Sequence, residues 1–211
     1  MNATDDIPVI FTPDNEPYLG LGTLRAFDDA IVTCLKVNSR IAPMTSELQL
    51  NDLQRAACQL IPAGINLALS LRELLRQGYL YGAAVMIRPL AERAVTILYL
   101  KQFPDKLTIW HDDGWHYRKR PTLAKMLDEI GGAEFPNCGR EVTNALNSLT
   151  HGDPESSKWN IIATGDDTVG YAVSKMLDRP DICSSVALDG ATWLSVILGM
   201  MPTIFPLPDS A

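Results

Sequence analysis

The apolar segment at residues 78–100, GYLYGAAVMIRPLAERAVTILYL, constrains the fold more than any other part of the chain. Apolar side chains occur on nearly every side of a helix drawn through it, so we expect this helix to lie in the centre of the protein. Arg88 and Glu92 are four residues apart, which places them on one helical face together with Tyr81. Because shielding charges from water is costly unless they are paired, this pair predicts one of two roles. It is either a structural ion pair or an anion site in which Glu92 orients the guanidinium group of Arg88.

Helical periodicity and end signals divide the rest of the chain. They predict further helices over residues 19–40, 51–77, 121–132, 139–152 and 181–201. Asn51 and Gln54 are expected to cap the second of these helices, and residues 42–50 to break the chain before it. In the same helix, Arg72 and Arg76 are expected on the outer side, opposite the leucines.

The predicted fold class is an all-α helical bundle of about five to six helices. Residues 159–174 are the one stretch that also suits a small β-hairpin, because two β-favouring runs flank a Gly-Asp-Asp turn. Residues 1–18 are acidic and rich in proline, which predicts an N-terminal arm. Residues 19–211 are then expected to form a single helical domain.

Charge and cysteine content argue against several classes of protein. The formal net charge of −7 argues against broad DNA binding and against an anionic membrane surface. No cysteine belongs to a CxxC pair, so a zinc knuckle and a thioredoxin-like site are excluded and core thiols are expected. The four cysteines are Cys34, Cys58, Cys138 and Cys183. We expect neither a metal nor a cofactor, since no metal-ligand or dinucleotide-binding motif is present.

Localisation follows from the two ends of the chain. The first residues form neither a signal peptide nor a transit peptide. The apolar run at residues 191–208 contains Pro202 and is shorter than the roughly 20 residues that a spanning helix needs. We therefore expect a cytoplasmic protein with no membrane segment. The same apolar run predicts a homodimer, because exposed apolar surface favours association.

The polar segment WHDDGWHYRKRP at residues 110–121 is expected to be an exposed loop. A metal site built from His111, Asp113 and His116 would match no strong ligand spacing. A His-Asp type of metal phosphohydrolase is excluded, because no histidine precedes His111 in the sequence.

The same segment offers a second, weaker prediction. Arg118, Lys119 and Arg120 follow Trp115 and Tyr117, so this cluster could meet a phosphate and stack a base.

His151 stands at the end of the helix predicted over residues 139–152. A histidine there can interact with the helix dipole. Alternatively, it can act as a general acid or base, or contact an anion, with Asn147 and Ser148 orienting the ring from one turn back.

Taken together, residues 74–100 and the later ALNSLTHGD resemble an uncharacterised bacterial all-helical family. In that family, a Gly-apolar-Arg-x-x-x-Glu helix is followed by a polar segment that ends in His-Gly. The resemblance covers about residues 60–155. It implies that Arg88, Glu92 and His151 line one pocket between helices.

This family is distantly similar to the HEPN helical bundles, which include dimeric ribonucleases and nucleotide-binding partners in defence systems. A HEPN nuclease carries an arginine four to six residues before its histidine, whereas here the nearest preceding arginine is Arg140. The hypothesis is therefore a dimeric regulatory or defence-associated module with an anion or nucleotide pocket. Its residues would be Arg88, Glu92, His151, Tyr81, Asn147 and Ser148. The alternatives are a metal-independent ribonuclease using His151, with RNA as its partner, and a purely structural or interaction protein.

Overall fold

A computed structural model describes residues 16–47, 49–111, 115, 119–150, 161–165, 168–171, 176 and 179–206. Within these residues the chain forms seven α-helices: α1 (Gly22–Glu47), α2 (Asp52–Arg76), α3 (Leu80–Gln102), α4 (Leu107–His111), α5 (Leu123–Gly131), α6 (Cys138–Thr150) and α7 (Pro180–Ile204). A 3-10 turn at Pro104–Lys106 precedes α4. The predicted all-α class is confirmed, and the helix beyond the expected number is α4, which ends at the start of the segment predicted to be a loop.

Two short strands, β1 (Ile161–Gly165) and β2 (Thr168–Tyr171), pair antiparallel between α6 and α7. Ile161 lies opposite Tyr171, and the register shifts between Ala163 and Gly165. The pair lies within the stretch where the sequence suits a hairpin.

The apolar helix α3 lies at the centre of the bundle and packs against α2, α5, α6 and α7. Its buried residues occur on most of its circumference: Leu80, Ala83, Ala84, Ile87, Leu90, Ala91, Ala94, Val95, Thr96, Ile97, Tyr99 and Leu100. The helix continues through Pro89. The central position predicted from its all-round apolar surface is therefore confirmed.

The second helix, α2, begins at a cap that the sequence predicts. The Asn51 side chain accepts a hydrogen bond from the Gln54 backbone, and the Gln54 side chain accepts one from the Asn51 backbone in return. Gln54 also donates to the carbonyl of Ile204, which ties the start of α2 to the end of α7. The cap fixes where α2 begins, because it satisfies amides that have no partner in the first turn.

The end predicted for the first helix is wrong. Instead of ending near Arg40, α1 continues through Pro43 to Glu47. Thr45 and Ser46 donate their hydroxyls to the carbonyls of Ala42 and Pro43, 2.7 Å away in each case. These hydroxyls bond to carbonyls three residues earlier in the last turns of α1, a pattern that serine and threonine side chains commonly adopt.

The length argument against a membrane-spanning segment is also wrong. α7 is 25 residues long and runs past Pro202 to Ile204. It is the one helix among the described residues that is long and apolar enough to cross a membrane. One side of it, including Cys183, Leu194 and Met201, is buried in the bundle. Length and composition alone do not place α7 in a membrane. The absence of a membrane segment therefore stays a prediction.

Arg72 forms the most enclosed ion cluster among the described residues, although the sequence suggested an outward position. Its guanidinium donates to both carboxylate oxygens of Glu16, at 2.6 and 3.1 Å, and to the carboxylate of Asp28. The Glu16 side chain is only 2% exposed. Burial by itself lowers the pKa of Arg72, but the hydrogen bonds that it donates to Asp28 and Glu16, together with the charges of these carboxylates, outweigh burial and raise that pKa. The cluster fastens the segment before α1 to α2.

We expect Arg72→Met to lower the free energy of unfolding by about 3 kcal/mol, because it leaves the Glu16 carboxylate buried without a partner. Arg76→Met is the matched control one turn further along α2. Its partner Glu73 is 54% exposed, so the expected loss is below about 1 kcal/mol. Urea denaturation measures both values, and equal losses would contradict the structural role of the cluster.

All four cysteines are free thiols, and two of them are buried in the core. Burial raises the pKa of Cys34 to about 11 and that of Cys183 to about 12. Cys138 is only partly buried. The core thiols expected from the sequence are thus found at two of the four positions.

We expect a thiol-alkylating reagent at pH 8 to modify Cys138 in the native protein well before Cys34 or Cys183. The buried pair is both sterically protected and almost entirely protonated at that pH, and the thiolate is the reactive form. Peptide mass mapping after timed quenching measures the order. Modification of Cys34 as fast as Cys138 would show that the core is not packed as described.

Candidate functional site

The predicted pair on α3 forms a partly exposed ion pair. Arg88 Nε lies 3.4 Å from Glu92 Oε1, and the two side chains are 25% and 19% exposed. The contact arises from the four-residue spacing on one helical face. It is looser and wetter than the Arg72 cluster, so the pair is not sealed inside the bundle.

A second arginine reaches the same carboxylate from a distant part of the chain. Arg120 Nη1 lies 4.0 Å from Glu92 Oε2. Arg120 stands just before α5, whose N-cap is Thr122. Because α5 packs against α3, its first residues lie beside Glu92. The structure thereby brings Arg120 of the predicted basic cluster to the pair on α3, two candidate sites that the sequence presented separately.

These residues surround a half-open cavity of about 290 Å³. Its described lining consists of Arg88, Glu92, Arg120, Pro121, Thr122 and Leu123. Two guanidinium groups and the start of α5 contribute positive charge, and one carboxylate opposes them. The cavity can therefore attract an anion, and the planar forks can donate paired hydrogen bonds to a phosphate or carboxylate.

A second cavity of about 340 Å³ shares Arg120 with the first. It is lined by Arg93, Trp110 and Trp115, with Gln59, Leu60, Ala63 and Thr96 completing the described lining. The ring centroids of Trp110 and Trp115 are 5.2 Å apart and their planes are tilted by 57°. The sequence analysis missed Gln59, Arg93 and Trp110, because their contribution depends on α2, α3 and α4 meeting.

A third cavity, of about 410 Å³, shares Arg120 and Trp115 with the second. Three lysines line it, Lys106, Lys119 and Lys125. Tyr99 lies in the wall of this cavity. Burial is the larger cause that raises the pKa of Tyr99, and a 2.5 Å hydrogen bond to Glu129 raises it further. Tyr99 therefore stays neutral at physiological pH and donates its hydroxyl proton to Glu129.

We call these three cavities together the Arg120 groove. Six cations and two carboxylates line it among the described residues: Arg88, Arg93, Lys106, Lys119, Arg120 and Lys125, against Glu92 and Glu129. This excess of positive charge lies on a chain whose formal net charge is −7.

Tyr81, Asn147 and Ser148 are not among the described residues that line the cavity beside Arg88. Tyr81 is two turns away along α3, roughly 10 Å in axial rise. Asn147 and Ser148 lie on α6, where the Ser148 hydroxyl donates to the carbonyl of Ala145 at 2.8 Å. Within the described structure, the buried Oδ1 of Asn147 has no hydrogen-bond partner. His151 lies outside the described residues, so the convergence of its imidazole with Arg88 and Glu92 stays a prediction.

The ribonuclease hypothesis rests on the same histidine. Arg140 is exposed near the start of α6, and His151 lies outside the described residues, so this hypothesis stays a prediction.

The candidate metal ligands are only partly described. His111 Nε2 lies 2.8 Å from the carbonyl of Asp52, so it carries the proton and donates it there. Asp113, His116, Tyr117 and Arg118 lie outside the described residues. Among the residues that the structure does describe, no group of three His, Cys, Asp or Glu side chains could hold a metal ion.

Comparison with known proteins gives no relative from which a function can be transferred. No family model, no curated protein and no solved structure matches the chain. The resemblance to a helical family and to HEPN bundles therefore stays an expectation from sequence.

We expect Arg88→Met to lower the free energy of unfolding by less than about 1 kcal/mol, because partly exposed ion pairs contribute little to stability. A double-mutant cycle with Glu92→Gln, measured by urea denaturation, should give a coupling energy of roughly 0.5 kcal/mol. A loss as large as that of Arg72→Met would instead identify the pair as a structural tie.

Proposed function

We propose that this protein is a binding module for a phosphate-bearing small molecule, which it holds in the Arg120 groove. The observation that carries the proposal is the position of Arg120, which lines all three cavities and brings two separate sets of cations together. At 4.0 Å from Glu92, its guanidinium is beyond hydrogen-bond distance of that carboxylate. Glu92 therefore attracts the Arg120 guanidinium without accepting a hydrogen bond from it.

Charge supports an anionic ligand. Lys106 and Lys125 are paired with Asp105 and Glu129, and Glu92 lies between Arg88 and Arg120. Cations still outnumber carboxylates among the described residues that line the groove, so a phosphate placed at Arg120 would be attracted there. Charge-assisted hydrogen bonds from arginine to phosphate are short and can be bidentate, which suits Arg88 and Arg120.

Size supports a small molecule rather than a duplex nucleic acid. Each cavity is of the order that small-molecule sites have, about 300–1,000 Å³. Outside the groove the acidic chain would repel a long polyanion. The groove is therefore suited to a ligand that places a few phosphate oxygens at Arg120.

We expect inorganic pyrophosphate to bind the protein, as measured by isothermal titration calorimetry, and to raise its melting temperature. Arg120→Met should weaken the affinity roughly 10- to 100-fold, the worth of hydrogen bonds to a charged group. Arg140→Met is the matched control, since it removes the same charge from an exposed position on α6. Rising salt should weaken binding, because the groove is open to solvent.

Two results would count against the proposal. Absence of pyrophosphate binding by the wild-type protein at low salt would remove the anion site. Equal weakening by Arg120→Met and Arg140→Met would show that the attraction is a diffuse property of net charge and not of this groove.

A further inference from the structure

We infer that the phosphate-bearing ligand is a nucleotide, whose base lies against Trp110 and Trp115 while its phosphates lie at Arg120. This inference rests on the proposed phosphate site and adds the chemical class of the ligand. It is drawn from the second cavity, which a phosphate alone would leave largely unused.

Two tryptophans and a buried leucine line the second cavity. Trp110 and Trp115 are both only partly buried, although both pack against the apolar core. Their ring centroids are 5.2 Å apart, and both line the cavity together with the buried Leu60 of α2. We call this part of the cavity the tryptophan slot. It suits a planar ring, because aromatic side chains stack on bases whatever their sequence.

Polar groups at the edge of the slot match a base as well. Gln59 is exposed and lines the same cavity. Its amide offers both a donor and an acceptor, the combination that base edges present. Arg93 is partly buried beside the rings, and among the described residues it has no ion-pair partner. A guanidinium next to a ring face and a negatively charged ligand would gain both cation–π and charge-assisted contacts.

The slot opens directly onto the phosphate-binding part of the groove. Trp115 and Arg120 line both the second cavity and the third, where Lys119 and Lys125 add positive charge. A ring held at Trp115 would therefore have its substituent within reach of Arg120. Cations lie on both sides of Arg120, which favours a ligand with more than one phosphate, such as a nucleoside diphosphate. The discrete cavities and the acidic remainder of the chain favour this class over single-stranded RNA.

The test compares ligands that carry one or both halves of a nucleotide. Isothermal titration calorimetry on the full chain would use inorganic pyrophosphate, the four ribonucleoside diphosphates and a single-stranded RNA oligomer. We expect at least one nucleoside diphosphate to bind roughly 10- to 100-fold more tightly than pyrophosphate, the gain that base stacking contributes. The same ligand should quench tryptophan fluorescence, whereas pyrophosphate should not.

Variants separate the two halves of the site. Trp110→Leu alters the second cavity alone. It should reduce the advantage of the nucleoside diphosphate without the loss of pyrophosphate affinity that Arg120→Met causes, and retained pyrophosphate binding also shows that the variant is folded. Trp193→Leu, on α7, is the matched control and should change neither affinity. Arg120→Met should weaken both ligands.

The outcomes distinguish this inference from the proposed function. If pyrophosphate binds and no nucleoside diphosphate binds more tightly, the nucleotide inference is wrong and the proposed phosphate site is supported. If neither class of ligand binds the wild-type protein, both the inference and the proposed function are wrong. Tighter binding of the RNA oligomer than of every nucleoside diphosphate would replace a mononucleotide with a nucleic acid strand. The wild-type comparison decides these cases even if a tryptophan variant fails to fold.

Discussion

The candidate site depends on the contacts that the Glu92 carboxylate makes with two arginines. The carboxylate lies between Arg88 on its own helix and Arg120 from the segment before α5, at 3.4 and 4.0 Å. Without this carboxylate the two guanidinium groups would repel each other across a partly shielded space. With it, they can share one cavity and still carry a net positive charge toward a ligand. The position of α5 against α3 makes this arrangement possible, because it brings Arg120 to the central helix.

The Arg72 and Glu92 clusters differ in their ratio of arginines to carboxylates, and this ratio distinguishes a structural role from a binding role. Arg72 faces two carboxylates, Glu16 and Asp28, which engage donors on all three of its nitrogens. The two carboxylates accept four hydrogen bonds from this fork, and the cluster fastens chain segments together. Glu92 faces two arginines instead, at longer distances and beside an open cavity. One carboxylate shared by two guanidinium groups leaves a net positive charge beside that cavity, as an anion site requires.

Much of the fold follows from local pattern, whereas the site depends on contacts between distant residues. Periodicity predicts α2 and α3, and the spacing of Arg88 and Glu92 predicts their contact, because both are properties of a single helix. Arg72 was misplaced because a helical pattern shows which face is polar but not which segment covers it, and Glu16 is 56 residues away. The meeting of Arg93, Trp110 and Arg120 likewise depends on how three separate elements pack. The break predicted at residues 42–50 was placed too early, because Pro43 removes a single backbone donor and α1 continues past it to Glu47.

A crystal structure of the protein grown with pyrophosphate would test the central claim most directly. The account predicts phosphate oxygens at about 2.7–2.9 Å from guanidinium nitrogens of Arg120, the length of charge-assisted hydrogen bonds. It also predicts that Glu92 remains beside both arginines. A groove without the anion, in which Arg120 is hydrogen-bonded only to Glu92 and to backbone carbonyls, would contradict the account and leave the cluster with a structural role alone.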